Sequence, residues 1–297
     1  MRETIQALFD AQRPQFTKGG KLEWAWPIFE GAETFLLTPD TRTHAGAHVR
    51  DPVDMKRLMT FVLYALAPVI AMSFYNTGYM AYHYEGVDPT IAQSLARGAM
   101  AMIPLIITSY AAGGLAELVF CIVRKHEINE GFLVTAMLYP LTLPASTPLW
   151  MAAIGIIFGV VIGKEIFGGV GYNVWNPALV ARAFVFFTYP AAVSGTGVWD
   201  LSDPEQRIDG YTGATPLLAV KSGAPGEDPV ALLLRENWTW NELFLGTIPG
   251  SSGETSTLAA LLGAAFLLFV GIASWRVMFG TVIGAVATAA LFNAVAA

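Results

Sequence analysis

The run MAMIPLIITSYAAGGLAELVFCIV, residues 100–123, holds one charged side chain, Glu117, in 24 positions. About 20 apolar residues suffice to cross a bilayer as a helix. The rest of the chain has the same character. Of its 297 residues 54% are hydrophobic and only 13% charged, with a mean hydropathy of +0.51; a soluble domain carries about 25% charged residues. Open sheet edges cannot sit in lipid, so the expected fold is an all-α polytopic membrane protein, a helix bundle.

Seven apolar segments are expected, at about 58–76, 100–123, 131–147, 149–167, 177–195, 257–275 and 277–296. The third is short and closes with Pro140, Pro144 and Pro148. The fifth follows Phe167-Gly168-Gly169-Val170-Gly171-Tyr172, a stretch no continuous helix tolerates cheaply. Asn176-Pro177 then restarts it, with Asn as N-cap and Pro at the first helical position. Broken helices at membrane depth occur where backbone lines a cavity or site; a simple loop between two spans is the alternative. Four divisions follow: an amphipathic arm at 1–57, a five-segment bundle at 58–195, a polar loop at 196–256 and two further membrane helices at 257–297. In the arm, Glu3 to Gln12 is expected as a short helix. Trp24, Trp26, Phe29, Phe35 and Leu36 suit either a membrane-surface segment or an arm packed on its own complex.

Lys and Arg set the orientation. The arm is rich in them, the next loop has only Arg97, and Arg124, Lys125, Lys164, Arg182 and Arg276 follow. Placing all except Arg97 in the cytoplasm gives a consistent alternation. The N-terminus is then cytoplasmic and loop 196–256, with three basic and nine acidic residues, periplasmic. No cleavable signal peptide is evident, since the first apolar run starts near Leu58. A net charge of −6 and the lack of a basic stripe beyond the arm speak against nucleic acid. Cys121 is the only cysteine, so no internal disulfide or cysteine-ligated cluster is available within the chain. His44, His48, His83 and His126 show no ligand spacing, and no metal centre is expected. Gly159-x-x-x-Gly163-Lys164-Glu165 lacks the spacing and the Ser/Thr of a phosphate loop. Gly250-Ser251-Ser252-Gly253 is not a nucleophile elbow.

Within loop 196–256 lies Asp209-Gly210-Tyr211-Thr212-Gly213-Ala214-Thr215. Two glycines in four residues make a tight turn. Pro216 pushes Thr215 towards an extended backbone, so its hydroxyl is expected to face an incoming reagent and not to be tucked against a helix. Gly-Ala-Thr alone is an ordinary turn. The full Asp-x-x-Thr-Gly-Ala-Thr spacing resembles the acceptor sequence of proteins that carry FMN through a phosphoester on the last threonine. A threonine hydroxyl is a weak nucleophile at neutral pH, so such a link requires a separate flavin transferase.

Further stretches occur in order around it: Arg124-Lys125-His126-Glu127-Ile128-Asn129-Glu130-Gly131-Phe132, Lys164-Glu165-Ile166-Phe167-Gly168-Gly169, Asn176-Pro177-Ala178-Leu179 and Gly271-Ile272-Ala273-Ser274-Trp275-Arg276. With Lys18-Gly19-Gly20-Lys21 and His48-Val49-Arg50-Asp51, they resemble the NqrB/RnfD family, on its NqrB side, over essentially the whole chain. The family has about ten membrane helices, so this chain resembles a fragment or one whose C-terminal third is encoded apart. The resemblance implies a bacterial inner-membrane, electron-transfer subunit of the Na+-translocating NADH:quinone oxidoreductase, working with the other subunits. It implies covalent FMN on Thr215, within a motif that includes Asp209, Thr212, Gly213 and Ala214, and a noncovalent riboflavin. It places Gly113 and Gly114 near the quinone-reactive region for ubiquinone, and links Glu117 and Glu30 to Na+ passage. Paired glycines also serve plain helix packing, and Glu117 also suits an ion pair. Asn173 and Asn176 are the residues expected to meet riboflavin, although an N-cap role explains Asn176 equally. With no Gly-x-Gly-x-x-Gly after a strand, NADH belongs on another subunit. The rivals are an RnfD-type subunit of a ferredoxin:NAD oxidoreductase and a flavin-free transporter built from broken helices.

Overall fold

The computed structural model describes residues 2–37, 55–125, 128, 130–208, 211, 213–224 and 226–296. Among them the chain is helical, with no strand. The arm forms α1 (Arg2–Phe16) and α2 (Trp26–Leu36). The bundle follows as α3 (Met55–Tyr84), α4 (Ile91–Arg124), α5 (Gly131–Leu141), α6 (Leu149–Gly163), α7 (Pro177–Thr188) and the single turn α8 (Pro190–Val193). The polar loop carries α9 (Pro216–Ser222), α10 (Pro229–Arg235) and α11 (Trp240–Leu245), and the chain continues with α12 (Thr257–Val270) and α13 (Trp275–Ala296). Each of the seven expected apolar segments holds a helix, but those of the third, fourth, fifth and sixth stop short of the expected ends, at Leu141, Gly163, Thr188 and Val270. Among the described residues, four segments are long and apolar enough to span a membrane: Arg57–Tyr84, Ile91–Arg124, Leu149–Phe167 and Trp275–Val295. Helices α5, α7 and α12 are shorter.

Boundaries depart from the hydropathy pattern for local reasons. α4 starts at Ile91, nine residues before the apolar run, because Thr90 and Gln93 form a capping box. α3 continues through the polar Asn76-Thr77-Gly78 because those residues are packed: Asn76 Nδ2 donates to Ile248 O at 2.9 Å and to Thr255 Oγ1 at 3.3 Å. α5 stops at Leu141, where the prolines begin. α12 ends at Gly271, whose φ of +80° closes the helix in the left-handed region.

The core joins α4 to α7. Met102 and Leu105 meet Phe132, Ala136 and Tyr139 of α5, Ile156 and Val160 of α6, and Ala178, Ala181 and Val185 of α7. Small residues set the crossings. Gly155 lies against Tyr139 and Val185, and Gly159 against the Pro177 backbone and Ala181, a small-xxx-small stripe that lets backbones approach. Ser109 Oγ donates to Ala136 O at 2.7 Å and Tyr110 Oη to Leu133 O at 2.8 Å, so buried hydroxyls also tie α4 to α5.

The bundle has two distinct ends. At one, the arm packs against the end of α4, with Gly31 facing Ile128, and Phe29 is buried in the arm's own cluster, stacked on Phe16 and edge-on to Phe9. Trp24 and Leu36 stay exposed. At the other end the polar loop docks: Gly253 N donates to Leu141 O at 2.7 Å and Ser252 N to Leu143 O at 3.2 Å. Arg182 departs from its expected place among the residues at the arm end. It lies within α7, and its Nε donates to Thr142 O at 3.1 Å, capping the end of α5.

Candidate functional site

At the arm end, three ionisable side chains are almost wholly enclosed. Glu117, Lys164 and Glu165 are each exposed by only 1–2%. The Lys164 ammonium lies 2.7 Å from Glu117 Oε2 and 3.2 Å from Glu165 Oε1. Arg124 closes the row, 3.5 Å from Glu165 Oε2 and donating to Glu165 O at 2.6 Å. The sequence leaves Glu117 in search of a compensator, and the fold supplies one from the far end of α6. α6 ends at Gly163, and Lys164 serves as its C-cap residue, the favoured place for a cation. The one-turn helix Glu165–Phe167 and the positive-φ Gly168 and Gly169 then turn the chain back. Formal charge sums to zero across the four. Removing one partner of a pair this deeply buried costs about 3–5 kcal/mol.

Gly113 and Gly114 lie one turn from Glu117 on α4 and face Phe132. A Cβ on Gly113 would sit 2.8 Å from both Phe132 Cε2 and Ile156 Cγ1, whereas one on Gly114 meets Phe132 Cε1 at 3.4 Å. Close packing accounts for Gly113, while Gly114 has room for a methyl group. Further along α4, about 14 Å by helix rise from Gly113, Ile122 and Lys125 join Phe16, Trp24, Trp26 and Pro27 of the arm around a cavity of about 810 Å³. Glu30 sits half-buried on α2 beside Gly31.

At the loop end, Thr215 has the extended backbone expected before proline, with φ −79° and ψ 158°. Its hydroxyl, however, accepts from Leu218 N at 3.2 Å and caps α9. That corrects the expectation of a hydroxyl held away from any helix: an extended threonine ahead of proline has N-cap geometry. Gly213 adopts φ +58°, and a Cβ there would sit 2.7 Å from Tyr211 Oη and 2.8 Å from Gly197 N. Ala214 lies between, half-buried; Asp209 and Thr212 fall outside the described residues. Tyr211 stands edge-on to Tyr84 at 4.7 Å and beneath the Arg207 guanidinium at 4.5 Å. Burial, helped by the Asp200 carboxylate, pushes its phenol up to about 12, so it remains a donor at neutral pH. Tyr211 also lines a cavity of about 500 Å³ whose wall mixes rings, among them Tyr79, Tyr84 and Trp238, with the charged Arg235, Glu236 and Glu242.

The amides of the broken segment serve their own turns. Asn176 Oδ1 caps α7 at Ala178 N, as its spacing before Pro177 predicts. Asn173 accepts from Gly171 N and donates to Trp175 O. Of the groups that matter, Lys164 and the cluster around Tyr211 escape a reading of the sequence. The available signal for Lys164 is a Lys-Glu pair closing an apolar run at the same membrane end as Glu117. Tyr211 stands inside the Asp209–Thr215 stretch, but at a position that the Asp-x-x-Thr-Gly-Ala-Thr spacing leaves unspecified.

This is a polytopic helical membrane protein with a buried ion-pair row at one end and an aromatic, loop-capped end opposite. Residues 42–297 match the NQR2, RnfD, RnfE family, and the chain belongs to it. It is 43% identical to the B subunit of the Na(+)-translocating NADH-quinone reductase of Klebsiella pneumoniae (strain 342), over 98% of this chain and 76% of that protein. The proteins of the same name from Pseudomonas paraeruginosa and Azotobacter vinelandii are 41% and 43% identical, over 98% and 97% of this chain. The chain thus spans about three quarters of the length of these relatives.

Proposed function

We propose that this chain is the NqrB component of a Na+-translocating NADH:quinone reductase, set in the bacterial inner membrane with the arm cytoplasmic and the α9–α11 loop periplasmic. Its relatives carry that name, and the basic arm end and acidic loop end agree with the orientation. The observation that carries the flavin reading is the position of Thr215, two residues after Gly213 in a turn whose Tyr211 lines a cavity of mixed aromatic and polar wall.

The residues present fit a flavin attached there. Gly213 keeps the turn open where any side chain would strike Tyr211. The cavity has room for a flat ring, with Tyr84, Tyr211 and Trp238 on its wall beside the polar Arg235, Glu236 and Glu242, and Thr215 lies within two residues of Gly213. Bound FMN supplies reversible electron uptake. Thr215 would anchor its phosphate after a flavin transferase joins them, and Tyr84, Tyr211 and Trp238 would flank the ring. A noncovalent riboflavin, near Asn173 and Asn176, would link this end to the other, although both amides are engaged within their own turn. A quinone headgroup would enter the aromatic cavity between the arm and α4, over the packing held by Gly113 and Gly114. Na+ would pass Glu117, with Glu30 at the cytoplasmic approach.

The test is covalent flavin fluorescence after denaturing electrophoresis, with a flavin transferase coexpressed. Wild type should give a fluorescent band, Thr215→Ala none, and Thr212→Ala a residual one. An undiminished band from Thr215→Ala would sink the assignment of Thr215; a dark wild type would favour the flavin-free transporter.

A further inference from the structure

We propose that Lys164 is an internal cation that competes with Na+ for Glu117 and that Glu165 is the seat it retreats to. The inference rests on the reading of Glu117 as a Na+ ligand and adds the group that regulates it. Two carboxylates face one ammonium, at 2.7 Å and 3.2 Å. Both are hard oxygen donors, the kind a small alkali cation takes. The C-terminal end of α6 adds its negative dipole end at the same place. The fold has therefore built a cation site and filled it with its own side chain.

The arrangement suits exchange more than static pairing. A lysine ammonium is a compact charge on a flexible stem, unlike the rigid fork of arginine. Lys164 already touches the alternative partner, so a small displacement moves it from Glu117 to Glu165 without leaving it unpaired. Arg124 grips Glu165 through both its backbone oxygen and its carboxylate, which keeps that second seat fixed. A purely structural row gains little here, because apolar residues of similar volume are often at least as stable as a buried ion pair. Charged groups inside a membrane protein usually serve transport or catalysis. In the exchange one Na+ enters at Glu117, the ammonium moves to Glu165, and no proton is gained or lost.

The experiment is NADH-driven quinone reduction against Na+ concentration in the assembled complex, with covalent flavin content as the measure of assembly. Lys164→Gln removes the competitor and should lower the half-saturating Na+ concentration by about tenfold, equivalent to about 1.4 kcal/mol. Glu165→Gln removes the retreat and should raise it several-fold, the opposite sign. Should Lys164→Gln fail to assemble, the rise in Glu165→Gln carries the decision. Unchanged Na+ dependence in assembled variants would overturn the competition while leaving the Na+ reading intact. A wild type indifferent to Na+ would overturn both.

Discussion

Arg97 grips both carboxylate oxygens of Glu85, each at 2.6 Å, across the turn between α3 and α4. The same arginine donates to Leu201 O at 3.1 Å, and Glu85 accepts from Asp203 N at 2.8 Å. Arg97, which the charge pattern sets apart from the cytoplasmic group, is thus the clamp that holds the start of the polar loop to the bundle.

Hydrogen bonds from Arg97, and then from Asp203 N, hold the Glu85 carboxyl below its ordinary value of 4.5 against the opposing effect of burial. A depressed carboxylate stabilises the fold above its unfolded pKa and loses that contribution as pH falls through the folded one. Protection of the loop from proteolysis should be flat at pH values above the ordinary carboxylate range and fail only as pH falls below it. Arg97→Gln should cost about 2 kcal/mol, in line with charge-assisted hydrogen bonds, and abolish the acid step. Limited proteolysis of the detergent-solubilised protein across pH reads both; an acid step retained in Arg97→Gln would detach it from this clamp.

The α3–α4 crossing should be intolerant of any side chain at two positions. A Cβ on Gly78 runs into the Ser94 carbonyl, and one on Gly98 into the Phe74 carbonyl. Both obstacles are backbone, which cannot step aside without separating the helices. Gly98→Val should therefore abolish accumulation of the folded protein, while Gly280→Val on α13, where a Cβ meets open space, should be silent. Membrane yield and detergent gel filtration compare them; a well-folded Gly98→Val would refute the crossing.

Much of this fold is legible because lipid enforces long apolar runs, and each of the seven runs holds a helix. Their ends are less so, since hydropathy dips at Asn76-Thr77-Gly78 although the residues are buried in tertiary contacts. The capping box Thr90-x-x-Gln93 is a local signal for the start of α4. Helix signals also stand inside the polar loop: Thr215-Pro216 and Asp228-Pro229 repeat the pattern of Asn176-Pro177, a polar cap followed by proline. Of the three, Asn176-Pro177 alone borders an apolar run, and hydropathy therefore marks it alone as a helix start. The Glu117–Lys164 pair joins residues far apart in the chain, and no local pattern announces it.

Sidedness has a direct test. Ser222 ends α9 and is exposed, while Cys121 is buried in α4. In a Cys121→Ala background, Ser222→Cys should react with an impermeant thiol reagent in intact cells whose outer membrane admits it. Labelling only after lysis would invert the topology and move Thr215 to the cytoplasm.

Gly113 and Gly114 separate packing from quinone contact. Alanine at Gly113 would press on Phe132 and Ile156 at 2.8 Å. Phe132 in turn lies beside the ion-pair row, with the Lys164 ammonium 5.9 Å from its ring centroid. Overpacking of this kind costs about 1–3 kcal/mol. Phe132 neighbours both Gly113 and Lys164, so Gly113→Ala should lower thermal stability and change the Na+ dependence of turnover together. Alanine at Gly114 meets Phe132 at ordinary contact distance and should leave stability, Na+ dependence and the KM for quinone near wild type. Thermal unfolding and quinone kinetics on the assembled complex distinguish the cases. If both substitutions raised the KM for quinone while stability held, the glycines would be touching the quinone itself, and their packing against Phe132 would be incidental.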